Sequence, residues 1–182
     1  MADGYARETG RLGVCCATSG PGSTNLITGV ACAHANNVPL LAISGLPALP
    51  SFGRGAFQES SGTGVNAIAM FSHCTRYNVL VSHPSQFERK LANALMTAYQ
   101  APGGAAHLAI PLDILRHAAP SAIPAYDLAA LFKRKPVLTD ENAVEALKTE
   151  LQRAPRAVFV IGVACFDAIE AIMVLADLTK AL

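Results

Sequence analysis

The apolar run Leu12-Gly13-Val14-Cys15-Cys16 leaves through Ser19-Gly20-Pro21-Gly22 and enters a helical period at once. Strand, tight turn and helix in direct succession constrain this chain more than any other stretch. Leu26, Ile27, Val30, Ala31 and His34 recur at helical spacing to about Ala35, with Ser23 or Thr24 as the expected cap. The turn itself has two readings. It is a plain strand-to-helix connection, or its glycines, lacking Cβ, let a ligand approach bare backbone.

The pattern repeats along the chain. After the buried strand expected over Leu12–Thr18, PLLAIS at 39–44 reads as a second buried strand and RYNVLV at 76–81 as a third. Pro84 and Ser85 open a helix to about Gln100, striped by Phe87, Leu91, Ala94, Leu95 and Ala98. AHLAI at 106–110 is a fourth strand, closed by Pro111. Residues 45–64 are rich in Gly, Pro and Ser without a period, and a loop of that length suits function. Continuously apolar strands alternating with helices predict an α/β fold: a doubly wound parallel sheet with helices on both faces.

Beyond Ala118 the character changes. Three prolines and Lys133-Arg134-Lys135 mark a linker. Thr139 or Asp140 caps a helix to Arg153, with Val144, Leu147 and Leu151 on one face. AVFVIGV at 157–163 predicts a strand, and Asp167 is placed to cap a last helix over 168–180. Two helices and one strand do not close a core. The expected organisation is therefore a first domain over 1–117, a linker over 118–136, and an incomplete second α/β domain over 137–182.

Composition narrows the class. The 182 residues are 52% hydrophobic and 15% charged with a net charge of +1, which gives no electrostatic basis for nucleic-acid binding. The Lys133-Arg134-Lys135 cluster reads as solvated linker. No apolar run approaches the roughly 20 residues of a membrane helix, and MADGYARETG has no signal-peptide core. Five cysteines without a Cys-x-x-Cys pair read as buried free thiols in a reducing, cytoplasmic setting rather than a zinc site. The five histidines are scattered, and none is assigned to catalysis.

With these elements placed, the chain resembles the N-terminal pyrimidine-binding domain of thiamine-diphosphate enzymes of the acetolactate synthase-like group. The resemblance rests on Ala2-Asp3-Gly4-Tyr5-Ala6-Arg7, Thr18-Ser19-Gly20-Pro21-Gly22-Ser23-Thr24-Asn25, PLLAISG at 39–45, Ala56-Phe57-Gln58-Glu59 and LAIPLDI at 108–114, in order across about 115 residues. Against the family the first domain lacks its first strand and the start of a helix. Residues 137–182 resemble the start of the family's middle domain by pattern alone.

The resemblance implies that Thr18, Gly20, Pro21, Gly22 and Asn25 lie by the aminopyrimidine ring of thiamine diphosphate. It places Gln58 and Phe57 on an active-site loop, the glutamine amide facing substrate and the phenylalanine lining the channel. Glu59 matches a position read as structural. Magnesium and the diphosphate would bind a domain of a partner subunit, so a homo-oligomer with cofactor at the interface is implied. Whether the parent binds FAD stays open. The implied chemistry is decarboxylation of a small-molecule 2-oxo acid followed by transfer to a second carbonyl.

Two departures qualify this. The family's cofactor-activating glutamate would fall before Met1, and no Gly-Asp-Gly metal motif occurs in the chain. Gly55 and LPALP at 46–50 also differ from the acetolactate synthase pattern. The expectation is a fragment that is inactive by itself. The alternative is a non-catalytic cofactor-binding or oligomerisation module.

Overall fold

Four short strands, all parallel, lie in the order β1-β2-β4-β3: β1 Gly13–Ala17, β2 Leu40–Leu46, β3 Tyr77–Leu80 and β4 Ala105–Pro111. Among the described residues five helices accompany them in chain order: α1 Ala2–Thr9, α2 Pro21–Ala35, α3 Ala67–Phe71, α4 Phe87–Tyr99 and α5 Leu112–Leu115. Two more, α6 Glu141–Arg153 and α7 Ile169–Thr179, follow. The computed structural model describes residues 1–118, 139–162, 165 and 168–180. They fall into two compact units, one ending with Ala118 and one starting from Thr139. The expected linker, its basic cluster, Val163 and the Asp167 cap lie outside the described residues.

The doubly wound sheet is what the apolar runs predicted. Alternate residues of each strand face opposite helices. Leu40, Ala42 and Ala105 join Val30 and Ala33 of α2, Phe71 of α3 and Ala6 of α1 in one core cluster. Leu41, Ala106, Leu108 and Ile110 join Ala94 and Ala98 of α4 in the other, with Leu91 and Leu95 packed on it. All seven residues of β4 are buried, because β4 has a strand on each side and helices on each face.

Three expectations need correction. β1 is an edge strand and only half buried: Val14 is 52% exposed. By register Val14 and Cys16 stand beside Leu41 and Ile43, on the face that α4 covers over β2, β3 and β4 but not over β1. The thiols follow: Cys74 is buried, Cys15 and Cys165 are half-buried, and Cys16 and Cys32 are exposed.

Second, neither Ser23 nor Thr24 caps α2. The helix opens one residue after Gly20 with Pro21 in its first turn, where the fixed φ suits a helix start. The Ser23 hydroxyl instead donates to Thr18 O (2.9 Å) and ties the turn to the helix, while Thr24 Oγ1 donates to Pro21 O (3.1 Å) within the helix's first turn.

Third, no strand forms over 157–162. Among the described residues of the second unit no other strand is present to pair with this run, and Val158 and Val160 stand 72% and 94% exposed. The helices around it form as expected. Asp140 caps α6 by accepting from the Asn142 and Ala143 N–H groups (3.0 and 3.1 Å).

Candidate functional site

The strand order fixes where a ligand would sit. Both α2, between β1 and β2, and α4, between β3 and β4, are crossovers within the sheet, and they lie on opposite faces. The winding therefore reverses between β2 and β4, and in open parallel sheets ligands bind beyond the strand carboxyl ends at such a switch point. Here those ends are Leu46 and Pro111, paired in register. The loop after β2 reaches α5 after β4: the Leu49 N–H donates to Asp113 Oδ1 (3.1 Å).

The turn after β1 joins this rim. Gly20 has φ 63° and ψ −123°, a conformation that disfavours any side chain. A Cβ at Gly20 would stand 2.8 Å from Gln58 Cβ, and one at Gly22 would stand 2.7 Å from Thr18 Cγ2. The nearest neighbours of the missing Cβ atoms are thus the chain's own side chains, and the turn needs its glycines before any ligand arrives. Gln58 also has a left-handed backbone, φ 55°.

Two residues of positive φ from two loops, one of them not a glycine, therefore lie against each other, and Ser60 holds them. The Gly20 N–H donates to Ser60 Oγ, whose hydroxyl donates to Gln58 O (3.2 Å). Ser60 is only 1% exposed. Around this clamp Thr18, Pro21, Asn25 and Phe57 are exposed, Phe57 at 88%, while Gly22 and Gln58 are half-buried and Gly20 is buried. The structure thus brings Gly20 to Gln58 and Gly22 to Thr18. Asn25 sits one turn further along α2, and Phe57 extends into solvent beside Gln58.

Glu59 turns inward on its own loop. Its Oε1 accepts from the Ser61 hydroxyl, the Gly53 N–H (2.6 Å) and the Thr63 hydroxyl (2.8 Å). These donors, that of Ser61 foremost, hold the carboxyl down at about 2. Gly64 packs where a Cβ would meet Glu59 O at 2.5 Å. Glu59 is therefore the internal anchor of residues 53–65, with its acceptor oxygen already used.

Behind the rim lies a second polar group in the core. His107 is fully buried between Ser44 Oγ at Nε2 and Asn78 Oδ1 at Nδ1, both at 2.7 Å. Asn78 donates on to Ile68 O, and Phe71 stacks on the imidazole with centroids 4.0 Å apart. Nδ1 thus donates to Asn78, and Nε2 accepts from Ser44. Burial pushes the His107 pKa down to about 4, so the ring is neutral at ordinary pH.

The sequence reading assigned neither Ser60 nor His107. A polar residue inside a continuously buried run was the signal for His107 and Ser44. Ser60 gave none, since one serine in a serine-rich loop is unremarkable.

The donor set of the rim is the Thr18 hydroxyl, the Asn25 and Gln58 amides and the first N–H groups of α2. It is neutral, and no group of three or more metal-ligating side chains occurs among the described residues. Such a set offers no cluster of metal ligands, and its neutral donors can hydrogen-bond an uncharged heteroaromatic ring.

Comparison with known proteins agrees with the class this architecture defines. Residues 1–67 match the family described as thiamine pyrophosphate enzyme, N-terminal TPP binding domain. The chain is 42% identical to an acetolactate synthase of Arthrospira platensis over 113 residues, 62% of this chain and 19% of that protein. It is equally identical to the acetolactate synthase isozyme 2 large subunit of Escherichia coli K12, over 62% of this chain and 20% of the relative. It is 32% identical to the chloroplastic acetolactate synthase 2 of Nicotiana tabacum over 98% of this chain and 26% of the relative. Residues 1–67 thus carry the N-terminal domain of the thiamine pyrophosphate enzyme class. Within that class the chain belongs to the acetolactate synthase-like family, and it spans about a fifth to a quarter of the length of these relatives.

Proposed function

We propose that the first unit supplies the pyrimidine-binding wall of a thiamine-diphosphate enzyme that decarboxylates a 2-oxo acid and transfers the remaining acyl carbons to a second carbonyl compound. The observation behind this is the meeting of the Gly20 turn and the Gln58 loop at the switch point of a parallel sheet, in a chain similar to acetolactate synthases.

Thiamine diphosphate, when bound, supplies the electron sink that 2-oxo acid decarboxylation requires. The chain's own part is binding and placement. In this reading Thr18, Gly20, Pro21, Gly22 and Asn25 orient the aminopyrimidine ring through neutral donors and a rigid turn. Gln58, held beside Gly20, presents an amide to the substrate carboxylate, and Phe57 keeps water from that side. Magnesium and the diphosphate would bind outside these residues, on a partner subunit of a homo-oligomer. FAD has no assigned contact in the described residues.

The direct test is titration of the isotopically labelled chain with thiamine diphosphate, followed by NMR. Shifts concentrated at Thr18, Gly20, Gly22, Asn25 and Gln58 are expected. Shifts confined to other residues, or none at millimolar cofactor, would remove the reading. In the whole protein, Gln58→Ala should lower turnover about a hundredfold with folding intact, the loss expected for one preorganised donor.

A further inference from the structure

Ser60 lies outside the set of residues proposed to touch cofactor or substrate, yet it is the group through which the two loops of the site meet. It is 1% exposed in a loop whose neighbours Gly62, Thr63, Gly64 and Val65 are exposed. A buried hydroxyl needs partners, and Ser60 has one in each loop: it accepts from the Gly20 N–H and donates to Gln58 O. Its carbonyl takes the Ala67 N–H (3.4 Å) at the start of α3.

Gly20 and Gln58 both have positive φ, and a Gly20 Cβ would overlap Gln58 Cβ. Left-handed backbone at a non-glycine residue persists only where surroundings over-determine it. For Gln58 the Ser60 hydroxyl is a fixed partner at its own carbonyl. The Gly20 N–H heads the first turn of α2 and has no acceptor within the helix, so the same hydroxyl satisfies it. One oxygen therefore fixes the spacing between the ring-facing turn and the substrate-facing amide.

We infer that Ser60 is a positioning residue, whose hydroxyl locks the Gly20 turn to the Gln58 loop so that the proposed cofactor and substrate contacts keep one relative placement. This rests on the cofactor reading above.

The test uses the full 182-residue chain. Hydrogen exchange at the Gly20 amide is measured in the wild type, Ser60→Ala and Ser60→Thr, with the Leu108 amide as a global reference. Thiamine diphosphate affinity is measured on the same samples by NMR titration. Ser60→Ala should exchange Gly20 at least tenfold faster, leave Leu108 unchanged and weaken binding about tenfold. Ser60→Thr, which keeps the oxygen, should restore both. Unchanged Gly20 exchange in Ser60→Ala overturns the inference, as does unchanged affinity where the wild type binds. A wild type that does not bind refutes the cofactor reading, and the positioning role falls with it. If Ser60→Ala fails to fold, Ser60→Cys takes its place, since sulfur keeps the volume and is a poor hydrogen-bond partner.

Discussion

Ala106–Ile110 and Val158–Ile161 are written alike: short, apolar and preceded by a helix. The first is fully buried at the centre of the sheet, and the second is open, with Val158 72%, Val160 94% and Ile161 45% exposed. The difference is the company each run keeps. β4 has β2 on one side, β3 on the other and helices over both faces. Residues 157–162 have no strand beside them among the described residues of their unit, where α6 and α7 leave a groove lined by Val144, Leu147, Leu151, Leu175 and Leu178. Apolar composition makes a strand possible, and a ladder makes it real.

The largest test of this contrast is a pair of truncations. Phe71 is fully buried against His107, so Phe71→Ala should destabilise the first unit by about 3–5 kcal/mol. Leu147 is 59% exposed, so Leu147→Ala should leave the same transition in place. Chemical denaturation of both variants decides. Equal losses would mean that the second unit is as tightly packed as the first.

The next effect is acid-dependent. In the unfolded chain His107 takes a proton near its ordinary 6.5, whereas burial holds it near 4 in the fold. Between these values the unfolded state binds the extra proton, so stability is full above pH 6.5 and falls as pH drops toward 4. The loss amounts to about 3 kcal/mol. Glu59, held at about 2, acts in a lower window: its contribution is lost as pH falls from 4.5 toward 2. His107→Gln should flatten the denaturation midpoint between pH 6.5 and 4 and spare the lower window. A slope that survives His107→Gln would place the titrating group elsewhere.

The fold was legible because β2 and β4 are largely apolar runs with Gly or Pro at their ends, and the helices α4 and α6 show clean periods. Burial was less legible. Leu12–Cys16 looks as apolar as PLLAIS, but strand order decides which of them lies at an edge, and order is not a local property. The cap of α2 was misread for a related reason: Ser23 is a good capping type, yet Pro21 and Gly20 had already fixed the helix start. The turn and the Gln58 loop could be named from the residues. That they touch, and that Ser60 joins them, depends on a contact 40 residues apart in sequence.

Gly20 gives a smaller, local test. Gly20→Ala forces a side chain onto a positive-φ backbone that disfavours one and against Gln58 Cβ at 2.8 Å. The expected cost is about 1–3 kcal/mol, confined to the turn and the Gln58 loop, with hydrogen exchange in β4 almost unchanged. Uniform acceleration across the sheet would mean that the rim and the core unfold as one body, which would weaken the distinction between site loop and scaffold.

The smallest effect is the sharpest on the opening contrast. Val160 is 94% exposed and lies in a run with no ladder among the described residues, so Val160→Lys should change stability by no more than about 0.5 kcal/mol. The matched change in β4, Leu108→Lys, would bury a charge with no partner in a strand covered on both faces, and folding should not survive it. The two runs share composition and differ in neighbours, so the pair separates sequence from context. A large loss from Val160→Lys would show that residues 157–162 are buried as a strand in solution, whether by a second copy or by further chain. The contrast between the two runs would then reflect which partner was present rather than what each segment can form.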